Sequence, residues 1–269
     1  MTTTAQGLLD AARLAEAVKA QTEEVRAHPA DPERRYVLFA LLCFLGDLER
    51  ANRQLEALTV GQVPGVEMRS LVYRGLLAAE SERREVWAGR AKPLLAPDAP
   101  PDLEKRVRAL ARIAAGDLEG AARLVDEAGE QAPRVSGSFD GDRFEQIRDS
   151  DDVGASVIEI FAQGRCMWLS FEQVQRLEIP KPEGLLDLIF APARLHDRRG
   201  HEAHVYLPVL YAGTHEQGDD RLRLGRMTEW LEIPGVGNRG VGQKVLLSYR
   251  DGVEQERGIL DMRALEVAG

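Results

Sequence analysis

The apolar residues of this chain change their period once. Up to about residue 130 they recur at helical spacing in segments dominated by Ala, Leu, Glu and Arg. From Arg134 onward Gly and Pro become frequent, and the apolar runs shorten to four to eight residues rich in Val, Ile, Leu and aromatics. A helix face and a pleated strand place side chains with different periods, so the chain must build two kinds of layer.

The first part predicts helices near 5–27, 33–45, 48–58, 66–79, 82–91, 102–115 and 118–129. They are separated by His28-Pro29, Gly46-Asp47, Val63-Pro64, the Pro97–Pro101 stretch, Gly116-Asp117 and Pro133. The breaks repeat: Gly46-Asp47-Leu48-Glu49-Arg50-Ala51 returns 70 residues later as Gly116-Asp117-Leu118-Glu119-Gly120-Ala121, close to two periods of the 34-residue tetratricopeptide unit. Laid on the chain, that unit starts near 32, 66 and 102. The first copy carries Leu38, Leu42, Gly46, Ala51, Leu55 and Leu58 on the grid, and the third carries Gly116, Ala121, Val125, Ala128 and Pro133. The middle copy keeps Val72, Leu76 and Pro97 but has Glu80 for the turn glycine and Glu85 for the close-packing alanine. About three repeats is the minimum for such an array, so it is expected to lean on the second half.

In that half, Ser156–Ala162 and Arg165–Ser170 form a hairpin about Gln163-Gly164. Further strands are expected over His204–Tyr211, Leu222–Ile233, Gln243–Arg250 and Arg257–Met262, with a tight turn at Asp251-Gly252. Short helices are expected over Phe171–Leu177 and Pro182–Phe190. The predicted fold is α+β in two domains: a tetratricopeptide-like helical array over 1–134, and a β-rich domain over 135–269, mainly antiparallel and partly closed like a barrel.

Charge excludes several function classes. The net charge is −9, of which residues 1–134 hold −2 (19 basic, 21 acidic) and 135–269 hold −7 (16 basic, 23 acidic). Nucleic-acid binding needs clustered Lys and Arg, so no nucleic-acid partner is expected. The longest strongly apolar run, Tyr36–Leu45, spans ten residues, half of the roughly 20 a membrane helix needs. Met1-Thr2-Thr3-Thr4 carries no positive charge ahead of Leu8-Leu9, and Cys43 and Cys166 form no disulfide or Cys-x-x-Cys pattern; a cytoplasmic protein without membrane contact is expected.

Local catalytic signatures are weak. Gly235-Val236-Gly237-Asn238-Arg239-Gly240 matches the dinucleotide fingerprint in letters, but no helix follows it, and a glycine-rich β–β connection fits better. His196, His201, His204 and His215 cluster in sequence without a metal-ligand spacing. Asp149-Ser150-Asp151-Asp152-Val153-Gly154 fails as a calcium loop and reads as an acidic turn, with one Asp pairing an arginine or binding backbone N–H groups. No cofactor and no resident metal are expected, and the chain is read as non-enzymatic. The competing reading is a nucleotide- or metal-binding enzyme using 235–240 and the His196–His215 stretch.

Several strings carry a family resemblance: Phe144-Glu145-Gln146-Ile147-Arg148-Asp149-Ser150-Asp151-Asp152, Gly164-Arg165-Cys166-Met167-Trp168, Leu185-Leu186-Asp187-Leu188-Ile189-Phe190-Ala191-Pro192, Leu207-Pro208-Val209-Leu210-Tyr211, Leu222-Arg223-Leu224-Gly225-Arg226-Met227-Thr228-Glu229-Trp230 and Gly240-Val241-Gly242-Gln243. In order and spacing they resemble the ImpE/SciE/TagJ family of type VI secretion accessory proteins, with small departures at Cys166, Met167 and Phe190. The resemblance implies a cytoplasmic, non-enzymatic adaptor. Its partner would be the amphipathic N-terminal helix of the small contractile-sheath subunit, and its role sheath assembly or recycling by the AAA+ ATPase.

A helical array presents a concave surface suited to holding a helix. On the grid that surface carries Glu33, Tyr36, Ala40 and Cys43 in the first copy, and Leu103, Arg106, Leu110 and Ile113 in the third, with Tyr36 and Leu110 as anchors. The same residues read equally well as core. Trp168, Arg226 and Trp230 are residue types that dominate interfaces. The competing reading puts both tryptophans in the core and pairs a buried Arg226 with Asp149 or Asp187.

Overall fold

The structure, a computed structural model, describes residues 4–60 and 66–268. The expected break at Val63-Pro64 lies outside the described residues, as do Met1–Thr3. The helical part begins with α1 (Ala5–Asp10) and α2 (Leu14–Ala27). One helix was expected here, but Ala12 adopts φ +52°, which ends the first helix and lets Arg13 start the second.

Next comes α3 (Pro32–Leu45), opened by the Asp31 carboxylate accepting from the Glu33 and Arg34 amides, with Pro32 in the first turn. It ends at Gly46, whose φ of +79° carries the chain into α4 (Leu48–Val60). The following α5 (Val66–Trp87) is one helix of 22 residues where two were expected. Glu80-Ser81-Glu82 offers no breaker, and Glu80 is held within the helix by Arg83 and Arg84. The two-residue strand β1 (Leu94–Leu95) precedes α6 (Pro101–Ala114) and α7 (Leu118–Gln131), which turn at Gly116 with φ +76°. Helix α3 packs on α4 and α6 on α7, with Ala51 and Ala121 fully buried. The middle unit is a single helix, so the three-copy array is not what the chain builds.

Thirteen further strands follow: β2 (Gly137–Phe139), β3 (Asp142–Phe144), β4 (Gln146–Asp149), β5 (Val157–Ala162), β6 (Arg165–Ser170), β7 (Val174–Glu178), β8 (Phe190–Asp197), β9 (Glu202–Pro208), β10 (Thr228–Ile233), β11 (Gly237–Gly242), β12 (Val245–Arg250), β13 (Val253–Gly258) and β14 (Ala264–Val267). The main sheet has nine strands in the order β1-β6-β5-β9-β8-β7-β14-β2-β3, antiparallel except at β1–β6. It is open, with β1 and β3 at its edges, which corrects the expected partial barrel. Smaller sheets are β13-β12-β4 and the ribbon β10-β11.

The hairpin turns fall where expected. Gln163-Gly164 and Asp251-Gly252 all have positive φ, the geometry that matches strand twist. Other local expectations shift. Phe171–Gln173 is a short 3-10 turn leading into β7, Leu185–Leu188 another, and the expected strand at Leu222–Ile233 begins instead with a one-turn helix, α8 (Asp220–Arg223). Arg257–Met262 is mostly a 3-10 turn after β13.

Strand β5 shows why the sheet is hard to read from sequence: Val157, Ile158, Glu159, Ile160 and Phe161 are all buried. One of its faces packs in a core shared with α2, α3, α5 and α6, which joins Leu41, Leu76 and Leu103 to Phe161, Cys166 and Trp168. The other face packs in a second core with Leu207, Leu246, Ile259 and Leu265. The helices therefore form one layer laid on the sheet.

Candidate functional site

Burial sorts the residues singled out in the sequence. Ala40, Cys43, Leu103, Arg106, Leu110 and Trp168 are buried, so the α6 positions expected on a concave surface instead pack beneath the sheet. Leu110, expected as an anchor, is 1% exposed and out of a partner's reach. Ile113 is half-buried, and Glu33, Arg226 and Trp230 are exposed. Arg226 pairs with neither Asp149 nor Asp187; its guanidinium donates to the carbonyl of Asp10 at 3.0 Å. Asp187 caps the 3-10 turn before β8, accepting from the Glu183 and Gly184 amides. Trp230 leans its edge on Tyr211, with centroids 5.8 Å apart, rather than entering the core.

Tyr36 is different. It lines an open groove of about 540 Å³ between α3, α4, α5 and the segment 183–187. Val37, Leu55, Leu58 and Tyr73 supply apolar wall, while Glu33, Asp187, Glu183 and Arg69 lie at the rim. Tyr36, Phe39 and Tyr73 pack as tilted rings 5.5 to 6.2 Å apart. Burial and a hydrogen bond with Tyr73 push the Tyr36 phenol up, keeping it neutral. Ser70 also lines the groove; it is 2% exposed and its hydroxyl has no partner among the described residues. A buried hydroxyl without a partner is costly unless something supplies one.

Beneath the helices lies a buried charged seam that the sequence did not disclose. Glu159 accepts from Arg83, from the indole N–H groups of Trp87 and Trp168, and lies 3.0 Å from the Lys244 ammonium. Burial would raise its pKa, but Arg83 and Lys244 outweigh that and hold the carboxyl well below the usual range. Lys244 also pairs with Asp149 at 3.5 Å, and Asp149 accepts from the Tyr211 hydroxyl at 2.7 Å. The one sequence signal was a lone Glu159 inside an apolar strand, since a charge there must find a buried partner.

The acidic turn and the glycine-rich stretch meet in the same region. Asp151 accepts from Arg239 and from the Gly240 amide, and Asp152 accepts from the Asn238 amide. This is the arginine and backbone pairing expected of the turn. The Arg239 guanidinium lies 4.3 Å from the centroid of Trp87. Gly235–Gly240 is accordingly the turn and the start of the second strand of an antiparallel ribbon, with the Asn238 and Gly240 amides already taken by Asp152 and Asp151, which removes the helix N-terminus a pyrophosphate would need. The histidines do not converge: His201 binds Asp197, His196 and His204 sit on neighbouring strands, and His215 packs on Gly46. Among the described residues no group of three or more His, Cys, Asp or Glu side chains is placed to hold a metal, and no helix is long and apolar enough to cross a membrane.

Paired helices covering one face of an open, mainly antiparallel sheet, with an aromatic groove on the helical side, define an α+β fold. The crystal structure of protein VPA1032 from Vibrio parahaemolyticus has the same fold, with a TM-score of 0.88 and 23% identity over 98% of this chain and 97% of that one. Residues 141–266 match the family model described as ImpE protein. Across 97% of this chain and 90% of the relative, the sequence is 34% identical to the type VI secretion system accessory component TagJ of Pseudomonas aeruginosa. The chain belongs to the ImpE/TagJ family.

Proposed function

We propose that this chain is an accessory component of a type VI secretion system, and that it works as a cytoplasmic, non-enzymatic adaptor. The observation that carries the reading is the 34% identity to TagJ, which runs through both the helical and the β-rich parts rather than through one of them. In this reading the partner is the amphipathic N-terminal helix of the small contractile-sheath subunit, and the Tyr36 groove receives it. A helix laid in a groove is anchored by apolar side chains at i, i+3, i+4 and i+7. The wall of Leu55, Leu58, Tyr36 and Tyr73 suits such a stripe, and the rim carboxylates of Glu33, Glu183 and Asp187 suit basic residues beside it. Handing the bound subunit to the AAA+ ATPase is the downstream role.

The test is an anisotropy titration of a fluorescent peptide of that helix with the full chain. Saturable binding that Tyr73→Ala weakens supports the reading. Saturable binding indifferent to Tyr73→Ala and Tyr36→Ala moves the site off this groove, and no binding at high micromolar concentration removes the helix as partner.

A further inference from the structure

A second cavity, of about 380 Å³, lies where the end of α7 and the segment after it meet β4 and β5. Its charged lining is Arg106, Arg134 and Arg148 against a single acid, Glu130. That balance runs against the chain, whose net charge is −9. Pro133, Val135, Ile147 and Phe171 complete it with apolar surface.

The three guanidinium groups are unevenly satisfied. Arg106 is 2% exposed; its Nε donates to the Ser156 hydroxyl at 2.7 Å and its Nη1 to the carbonyls of Asp152 and Val153 at 3.1 and 2.9 Å. Its Nη2 has no acceptor among the described residues. The Asp102 carboxylate forms an ion pair with Arg106, 3.5 Å from its Nε, and accepts from the same Ser156 hydroxyl. Burial and the like charge of Arg148 act against the Arg106 cation more strongly than Asp102 supports it. Arg148 spends Nε on the Asp149 carbonyl and Nη2 on Asp152, leaving Nη1. Arg134, exposed at the mouth, has no hydrogen bond or ion pair among the described residues. An Arg106 guanidinium that lines the cavity with one donor unspent, beside two more guanidinium groups, is a site that an anion completes.

We propose that this cavity binds a small oxyanion, a phosphate or carboxylate group, held between Arg106 of α6, Arg148 of β4 and Arg134 of the segment joining the helices to the sheet. The anion would supply the acceptor that Nη2 of Arg106 lacks. Because its three ligating residues come from the helical layer, the sheet and the joint between them, binding would lock the two layers together and raise the unfolding temperature with ligand concentration. The proposal is independent of the Tyr36 groove.

The experiment is thermal unfolding and calorimetric titration of the full chain in a phosphate-free buffer of low ionic strength. Inorganic phosphate and citrate are the two probes, and sodium chloride at matched ionic strength is the control. Saturable binding of either probe with a stabilisation that chloride does not give is expected, and which of the two binds more tightly separates a phosphate from a carboxylate ligand. Arg134→Gln is the informative variant, since Arg134 supports nothing else: its unliganded unfolding temperature should match the parent while affinity falls about tenfold. Arg134→Lys should recover part of the loss. Stabilisation no greater than chloride gives, or affinity unchanged in both Arg134→Gln and Arg148→Gln, overturns the proposal.

Discussion

The guanidinium of Arg83 on α5 grips both carboxylate oxygens of Glu159 on β5, with Nε 3.0 Å from each and Nη2 2.8 Å from one, and both side chains are sealed from solvent. The pair is a buried polar fastening between the helical layer and the sheet. Removing one partner leaves a buried charge uncompensated, which costs about 3–5 kcal/mol. Glu159→Gln should therefore lower the free energy of unfolding by that amount at neutral pH, measured by denaturant titration. A loss under about 1 kcal/mol would mean that the seam is hydrated and not a fastening.

The same carboxyl sets an acid limb. Its folded pKa lies below the unfolded one, so its contribution is complete above about pH 4.3 and fades at about 1.4 kcal/mol per pH unit below that. The stability gap between the parent and Glu159→Gln should be constant from pH 7 to pH 5 and narrow toward pH 3. A gap that stays constant to pH 3 would assign the loss to packing rather than charge.

Gly46 and Gly116 occupy equivalent places in the repeated Gly-Asp-Leu-Glu string, with φ of +79° and +76°. Their surroundings differ. A methyl group at Gly116 meets nothing within 4 Å, whereas at Gly46 it would lie 2.5 Å from the Cβ of His215. Gly116→Ala should cost only the left-handed backbone penalty of about 1–2 kcal/mol. Gly46→Ala should cost about 1–3 kcal/mol more, because the His215 turn must also move. Equal losses in thermal melts would show that His215 yields freely.

Tyr36 and Leu110 looked alike in sequence, and the structure assigns them different consequences. Tyr36→Ala should leave the protein folded but lower its melting temperature by several degrees, because the ring packs against Phe39 and Tyr73, and should weaken peptide binding about tenfold or more. Leu110→Glu places a carboxylate in the shared core and should prevent folding at 37 °C, read by circular dichroism. A folded Leu110→Glu variant would contradict the packing of α6 on the sheet.

Were Arg226 paired with a buried Asp149 or Asp187, as one reading of the sequence has it, its removal would strand that acid and destabilise strongly. With only the Asp10 carbonyl as its partner, Arg226→Ala should shift the melting temperature by no more than about 2 °C. A large drop would require a buried carboxylate partner that the structure does not give it.

Short-range features were the legible ones. The Asp31-Pro32 start of α3, the glycine ends of α3 and α6, and the Gln163-Gly164 and Asp251-Gly252 turns depend on residues within a few positions of one another, so the sequence carries them openly. The helix over 66–87 was read as two although no breaker residue lies between 79 and 82, and Glu80 has no reason to end a helix. Of the candidate groove, Glu33 and Tyr36 were read as surface positions of the repeat, Leu55 and Leu58 as its grid residues and Asp187 as an arginine's partner, while Tyr73 and Glu183 were not read at all, because nothing local shows that these elements meet.

What the sequence by itself determined is the glycine turns that end α3 and α6, the two hairpin turns, that a helical part precedes a β-rich part, and, through its strings, the family. The tertiary structure alone decided which faces are buried. Arg83 meets Glu159 across 76 residues, Arg106 meets Ser156 across 50, and Asp151 meets Gly240 across 89. A period of 3.6 or 2 tells which residues share a face, but not which distant face will cover it. That choice is made only when whole layers pack and each buried charge must find its partner.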